Sequence, residues 1–287
     1  MAASTDGRTQ GKTVKSRPRW LRALGADSPP GELEIGGRAH ALREVFKHDS
    51  WAATALYEGP GGRLRIVKLH RRAPLVFLPM RWVGRWTARN EIRLLERLGE
   101  LDGIPALAGA VTHGGGPPLD NAVAREFLEG HPLGAREAVP DAFFPRLRAL
   151  LDEMHARRAV YVDLHKRENI IVGEASQPCL IDFQISLLWP SWMPKGALFR
   201  IFAGSDDYHL MKHWSRCRPD QCGIDPEDFR SRIPWWIRAH RFVARPVREL
   251  RRRILVRVGV RSGKGRVETE AFAEHALRDI TPRERAA

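Results

Sequence analysis

Three oxygen-bearing side chains stand close together along residues 160–186, VYVDLHKRENIIVGEASQPCLIDFQIS. Two short apolar runs, Ile170–Val172 and Cys179–Ile181, flank the polar turn GEASQP. This pattern predicts a β-hairpin. A hairpin returns the chain to its starting point, so Asn169 at its entrance comes to lie beside Asp182 at its exit. Asp163 sits in the loop that feeds the first strand. Two carboxylates and an amide oxygen then converge on one edge. Hard oxygen donors of this kind suit Mg²⁺, which keeps waters and phosphate oxygens as its other ligands. A further carboxylate nearby can orient a hydroxyl for phosphoryl transfer.

DLHKREN followed by LIDFQ resembles the catalytic loop and metal-binding loop of the protein-kinase-like superfamily. It most resembles the compact bacterial branch of RIO-like and lipopolysaccharide (Kdo/heptose) kinases, in which DFQ-type endings replace DFG. The resemblance implies an α+β, bilobal protein-kinase-like fold, with a small β-rich N-lobe and a helical C-lobe. It implies ATP and Mg²⁺ as cofactors, Asp163 as the catalytic carboxylate, and Asn169 and Asp182 as metal ligands. The step from Asp163 to Asn169 is one residue longer than the usual D-x-x-x-x-N, and Tyr161-Val162-Asp163 replaces His-Arg-Asp. His165 and Lys166 follow the aspartate, where either could stabilise developing charge or simply be solvated.

Such a site needs a phosphate-contacting lysine on an upstream strand. Arg63–Leu69, RLRIVKL, follows a GPGG turn and alternates, which places Leu64, Ile66 and Lys68 on one face. A lysine on an apolar face requires an acid, because burying an unpaired charge is costly. Thr87–Leu98 is predicted as a helix, with Thr87 as N-cap and Gly99 as its stop. Glu91, Leu94, Leu95 and Leu98 share one stripe of it, so Glu91 faces the sheet as the expected partner. By resemblance, Lys68 and Glu91 form the lysine–glutamate pair of the superfamily. The resemblance places the phosphate-covering tip near Asp49–Thr54, where small residues let backbone amides approach phosphate, although no GxGxxG is present. Asn121–Glu126 reads as a strand leading into Phe127 and Leu128. This segment resembles the interlobe strip that bonds adenine through its backbone, so Glu126, Phe127 and Leu128 join Lys68 as expected nucleotide contacts. Asp141–Arg157 is predicted as a helix with Phe144, Leu147, Leu151 and Met154 as its core stripe.

The chain has 287 residues, is 43% hydrophobic and carries a net charge of +14. That is enough apolar content for a sizeable core, and the positive excess attracts polyanions without choosing among them. No run of about 18 apolar residues suggests a spanning helix. The N-terminus lacks a signal-peptide pattern, and three cysteines make no disulfide framework. A cytoplasmic location is expected, with the inner face of the cytoplasmic membrane as a peripheral site. The expected organisation is a disordered basic arm over 1–30, an N-lobe over 31–128 and a C-lobe over 129–222. Basic amphipathic helices follow over 223–262, and a polar tail over 263–287.

In the C-terminal third, Asp206 or Asp207 is expected to open a helix ending near Arg216, capping it. By resemblance, one of the two also braces the catalytic loop. His209, His213, Cys217 and Cys222 lie near one helical face and offer a zinc alternative, at a spacing no familiar zinc site uses. Arg230–Arg261 interleaves arginines with Trp235, Trp236, Phe242 and aliphatic residues. It reads as a surface for an anionic membrane, as a nucleic-acid contact, or as a helical cover for the C-lobe. Leu75–Trp86, LVFLPMRWVGRW, has the same character. The resulting expectation is a kinase, moving the γ-phosphate of ATP to a hydroxyl acceptor on a lipid-linked glycan or on a protein serine or threonine. The other classes are a catalytically silent nucleotide-binding scaffold and a basic nucleic-acid-binding protein.

Overall fold

A computed structural model of the chain describes residues 18–75 and 77–224, with scattered positions between 233 and 257. The fold is mixed α+β around a large antiparallel sheet. Seven strands build that sheet: β1 (Glu32–Ile35), β2 (Arg38–His48), β3 (Ala52–Glu58), β4 (Leu64–His70), β5 (Leu107–Gly109), β6 (Val111–Thr112) and β7 (Ala122–Glu126). They run in the order β5-β7-β4-β3-β2-β1-β6. Helix α1 (Arg81–Leu98) follows β4. Beyond the sheet come β8 (His131–Pro132), α2 (Phe143–Ala156), β9 (Ala159–Val160), β10 (Ile170–Val172), β11 (Pro178–Leu180), β12 (Leu187–Leu188) and α3 (Ala197–Cys217).

Register decides what each sheet face carries. Lys68 of β4 pairs with Thr54 of β3 and Val123 of β7, and Ile66 pairs with Leu56 and Arg125. Cross-strand partners share a face, so Lys68, Ile66 and Arg125 look the same way, as the alternation of β4 predicts. Lys47 of β2, opposite Thr54, joins them. The intervening residues Ala53, Ala55, Tyr57, Val67 and Leu69 form a separate core on the other face with Leu24, Leu33 and Ile35. Residues 18–30 therefore belong to the folded body rather than to a disordered arm: Leu21, Ala23 and Leu24 are buried, and the Tyr57 hydroxyl donates to the Pro30 carbonyl at 2.7 Å.

The larger core joins α1, α2 and the hairpin region. Leu94, Leu95 and Leu98 of α1 meet Phe144, Leu147, Leu151 and Met154 of α2, with Leu180 and Phe183 from the hairpin. These are the stripes the sequence predicts, and each such side chain contributes roughly 1.5–3 kcal/mol by burial. Two helix boundaries differ from expectation. Helix α1 begins at Arg81 rather than at Thr87, whose hydroxyl donates within the helix to the Val83 and Gly84 carbonyls. Gly99 does end it, donating to the Leu95 carbonyl. Helix α3 starts at Ala197 after Gly196, so Asp206 lies mid-helix and caps nothing. Among the described residues no helix is long and apolar enough to cross a membrane. Most of the basic segment 230–261 lies outside the described residues.

Candidate functional site

A cavity opens between the Lys68 face of the sheet and the hairpin β10–β11. Apolar walls from Ile66, Phe127, Leu128, Ile171 and Ile181 line one part of it; Lys68, Glu91, Asn169 and Asp182 line the other. The hairpin is the expected one, with Ile170 opposite Leu180 and its second strand one residue earlier than predicted. The carbonyl of Asn169 accepts from the Ile181 N–H at 3.1 Å, which brings the two ends of the hairpin together as the sequence suggests.

Lys68 is the centre of the polar wall. Its Nζ lies 2.5 Å from Asp182 Oδ1 and 3.1 Å from Glu91 Oε2. Burial alone would lower the lysine pKa, but Asp182 and Glu91 outweigh it and drive the pKa up. The reciprocal balance holds for the acids. Burial would raise both, yet Lys68 holds Asp182 and Glu91 below the ordinary carboxylate range. Glu91 has a second partner that the sequence did not reveal, His70 Nε2 at 3.2 Å. The His70 ring is fixed in turn by Thr87, 3.0 Å from Nδ1.

Asp163 is buried on the loop leading into β10. Its carboxylate accepts from Lys166 Nζ at 2.8 Å and from Asn169 Nδ2 at 3.0 Å, and His165 Nδ1 lies 3.2 Å away. A 3₁₀ turn, Arg167–Asn169, ends this loop, and the Asn169 amide donates to Asp163. Two residues around the site have left-handed backbone, Val162 at φ 66° and Asp182 at φ 65°. For a β-branched residue this is a true outlier. Asp206 holds it: the Tyr161 and Val162 N–H groups donate to Asp206 Oδ2 and Oδ1, both at 2.8 Å. Of the two candidate bracing aspartates, Asp206 is thus the one bonded to the loop. Tyr161 bonds onward, its hydroxyl donating to the Ile181 carbonyl and its ring meeting Phe183 edge-on at 5.3 Å.

One placement departs from the sequence reading. The turn between β2 and β3 does not offer open amides, because the Trp51 and Ala52 N–H groups donate to Asp49 Oδ1 at 2.7 and 2.9 Å. Asp49 is itself paired with Lys47 at 2.8 Å. The expected Glu126 contact is a backbone one; its side chain is exposed and pairs with Arg65 at 3.6 Å. Its carbonyl accepts from Arg125 Nη1 at 3.1 Å. Arg125 is a cavity-wall residue that sequence reasoning missed. The signal was present in its alternation with Val123 on the Lys68 side of β7. The zinc alternative finds no support: among the described residues no group of three His, Cys, Asp or Glu side chains is placed to hold a metal. His213 Nε2 instead donates to the Leu164 carbonyl at 2.8 Å.

Chemically, the arrangement presents a buried cation between two acids with an apolar slot beside it, while Asp163 is not among the cavity-lining residues and joins them through its bond to the cavity-lining Asn169. Asp182 and Asn169 both line the cavity and both carry hard oxygen donors. These two residues fit a small divalent cation that retains water and phosphate ligands. No protein-family model matches the chain, and no curated protein sequence matches it.

Proposed function

We propose that the chain is an ATP- and Mg²⁺-dependent phosphotransferase of bilobal, kinase-like build, acting on a hydroxyl acceptor. The observation that carries this reading is Lys68, held between Glu91 and Asp182 on the wall of a cavity that Asn169 also lines. A lysine fixed by two acids is a point charge aimed at phosphate oxygens. The apolar slot of Ile66, Leu128, Ile171 and Ile181 accepts the purine, and the Glu126 carbonyl has a second lone pair for the adenine amine. Asp163 receives the proton of the acceptor hydroxyl as its oxygen bonds the γ-phosphorus. The bond from that phosphorus to the bridging oxygen breaks, and ADP leaves. Lys166 and His165, both within 3.2 Å of Asp163, keep that carboxylate oriented and offset charge on the transferring group. Asp182 and Asn169 would hold Mg²⁺, which supplies charge neutralisation along the phosphates when bound. The acceptor class stays a glycan hydroxyl or a protein serine or threonine.

A second reading, a catalytically silent nucleotide-binding scaffold, is favoured by Asp49, whose carboxylate occupies the amides that would otherwise cover phosphate. Turnover separates the two. With radiolabelled ATP and envelope or cytosolic extract as acceptor, wild type transfers label. Asp163→Ala abolishes transfer while sparing folding and ATP binding, and Asp182→Ala weakens Mg·ATP binding. Full activity in both variants overturns the phosphotransferase reading; ATP binding without turnover in wild type supports the scaffold.

A further inference from the structure

Arg71 is a buried guanidinium that, among the described residues, bonds no carboxylate. Its Nη atoms donate to four backbone carbonyls: Ser50 at 2.8 Å, Leu21 at 3.4 Å, Trp20 at 3.1 Å and Pro74 at 2.7 Å. Its own N–H donates to the Trp51 carbonyl at 2.8 Å. The start of α1 is clamped to the same point, because a Cβ on Gly84 would stand 1.9 Å from the Arg71 carbonyl oxygen. Four chain segments are therefore tied together at one residue. Each of them presents large apolar side chains to solvent: Trp20, Trp51, Phe77 (95% exposed), Leu78, Trp82 (67%) and Trp86 (60%).

Exposed apolar clusters of this kind are uncommon on soluble proteins and mark interaction surfaces. The chemistry here narrows the partner. Trp82 and Trp86 are one turn apart on α1, and the exposed Arg89 and Arg93 continue their stripe. Arg19 precedes Trp20, and Arg81 and Arg85 interleave the α1 tryptophans, with Asp120 paired to both at 3.6 and 2.5 Å. Tryptophan rings favour the headgroup level of a bilayer, and arginines attract anionic headgroup phosphates. Phe77 is almost wholly exposed on the turn before α1, with Leu78 exposed beside it, and exposed apolar side chains flanked by arginines suit the headgroup and acyl boundary of a bilayer. The whole chain, at +14, carries the complementary sign.

We infer that this aromatic and basic face, built around Arg71, docks the protein on an anionic lipid bilayer. The inference goes beyond the phosphotransferase reading and does not depend on it. It places a membrane contact on the body of the fold, at the Leu75–Trp86 segment whose character the sequence already suggests. The face borders the cavity, since Trp51 lies two residues from the cavity-lining Asp49.

The test is flotation of the full chain with vesicles of phosphatidylcholine, with and without phosphatidylglycerol, at two salt concentrations. Wild type floats with the anionic vesicles, less at high salt, and its tryptophan emission shifts to the blue. The triple variant Phe77→Ser, Trp82→Ser, Trp86→Ser loses affinity at least about tenfold, given the transfer free energy of three large apolar side chains. Its thermal melting checks that it is folded. Arg89→Glu, a change of one exposed side chain on the same stripe, lowers anionic binding by itself and serves if the triple variant does not fold. Phe242→Ser, in the basic segment, floats as wild type does. Failure of wild type to float overturns the inference, as does unchanged flotation of both Arg89→Glu and a folded triple variant. A concentration-dependent dimer abolished by the triple variant, or binding of RNA in preference to vesicles, also overturns it by naming a different occupant.

Discussion

Asp206, at the middle of α3, accepts the backbone N–H groups of both Tyr161 and Val162 while its residue stays wholly buried. His155 Nε2 approaches the same carboxylate at 3.1 Å. The two backbone bonds fix Val162 at φ 66°, a conformation a β-branched residue holds only under constraint, and so fix the direction of Asp163. Asp206→Asn keeps one acceptor oxygen and turns an amide NH₂ toward a backbone N–H. The unsatisfied donor costs about 1–3 kcal/mol. In urea denaturation the variant therefore loses stability of that order. On the phosphotransferase reading, a misdirected Asp163 lowers kcat by on the order of 10²-fold with little change in nucleotide KM, because the Lys68 wall is untouched. An equal rise in KM would place the effect on the cavity instead.

Lys68 sets a pH dependence whose sign can be stated. Glu91 and Asp182 have lowered pKa values in the folded chain, so the stability they contribute is present above their unfolded pKa of about 4 and is lost as pH falls below it. Lys68→Met leaves two acids without their cation. Fully buried pairs broken in this way cost about 3–5 kcal/mol; Asp182 is 31% exposed, so the loss here is about 2–4 kcal/mol at neutral pH. In the variant the acids bind protons more readily folded than unfolded, and the gap to wild type shrinks as pH is lowered from 7 to 4.5. Urea midpoints at the two pH values measure this, and a gap that widened on acidification would refute the pairing.

The chemistry-bearing strand and hairpin were legible because their patterns are local. The alternation of Arg63–Leu69 put Lys68 on the site face, and the stripe of Glu91 with Leu94, Leu95 and Leu98 aimed its acid at the same place. Helix α3 was not legible from Ala197 because after Phe199 its buried positions are Asp206, Leu210, His213 and Ser215, a largely polar face that bonds the Asp163 loop through Asp206 and His213 and so lacks an apolar period. The first turns of α1 were hidden for the opposite reason. Their large apolar residues, Trp82 and Trp86, face outward while Gly84 and Thr87 face inward. Asp49 and Arg125 depend on a turn closing on itself and on a register between distant strands. The Asp49 turn is a local Asx closure, and Arg125 alternates with Val123, but only the register of β7 against β4 shows that Arg125 meets the Lys68 face.

His213 gives a second pH effect, independent of the cavity acids. It is buried on α3 with Nε2 bonded to the Leu164 carbonyl, and burial, with Lys212, Arg216 and Arg167 nearby, pushes its pKa down to about 4. The unfolded chain, with an ordinary histidine pKa near about 6.5, takes up the proton first. Stability is therefore full above about pH 6.5 and declines by up to about 3 kcal/mol as pH approaches 4. His213→Gln keeps a donor for the carbonyl and removes the titration. Its urea midpoint falls less steeply than that of wild type between pH 6.5 and 4.5. Parallel slopes would show that the imidazole is protonated in the folded chain.

Gly84 predicts an inverted response to a substitution that usually helps. Glycine inside a helix costs about 1 kcal/mol relative to alanine, so replacement normally stabilises. Here the new Cβ would meet the Arg71 carbonyl oxygen at 1.9 Å, its carbon at 2.8 Å and the Arg71 nitrogen at 3.1 Å. All three are backbone atoms of a residue held by five hydrogen bonds, so neither side yields by a rotamer change. Overpacking of this kind costs about 1–3 kcal/mol or more and outweighs the propensity gain. Gly84→Ala should lower the urea midpoint and alter tryptophan emission as the first turns of α1 lift from β4. Gly31→Ala is the control, because its Cβ meets nothing within 4 Å, and its midpoint stays at or slightly above that of wild type. Equal stability of the two variants would mean that α1 does not approach Arg71 this closely.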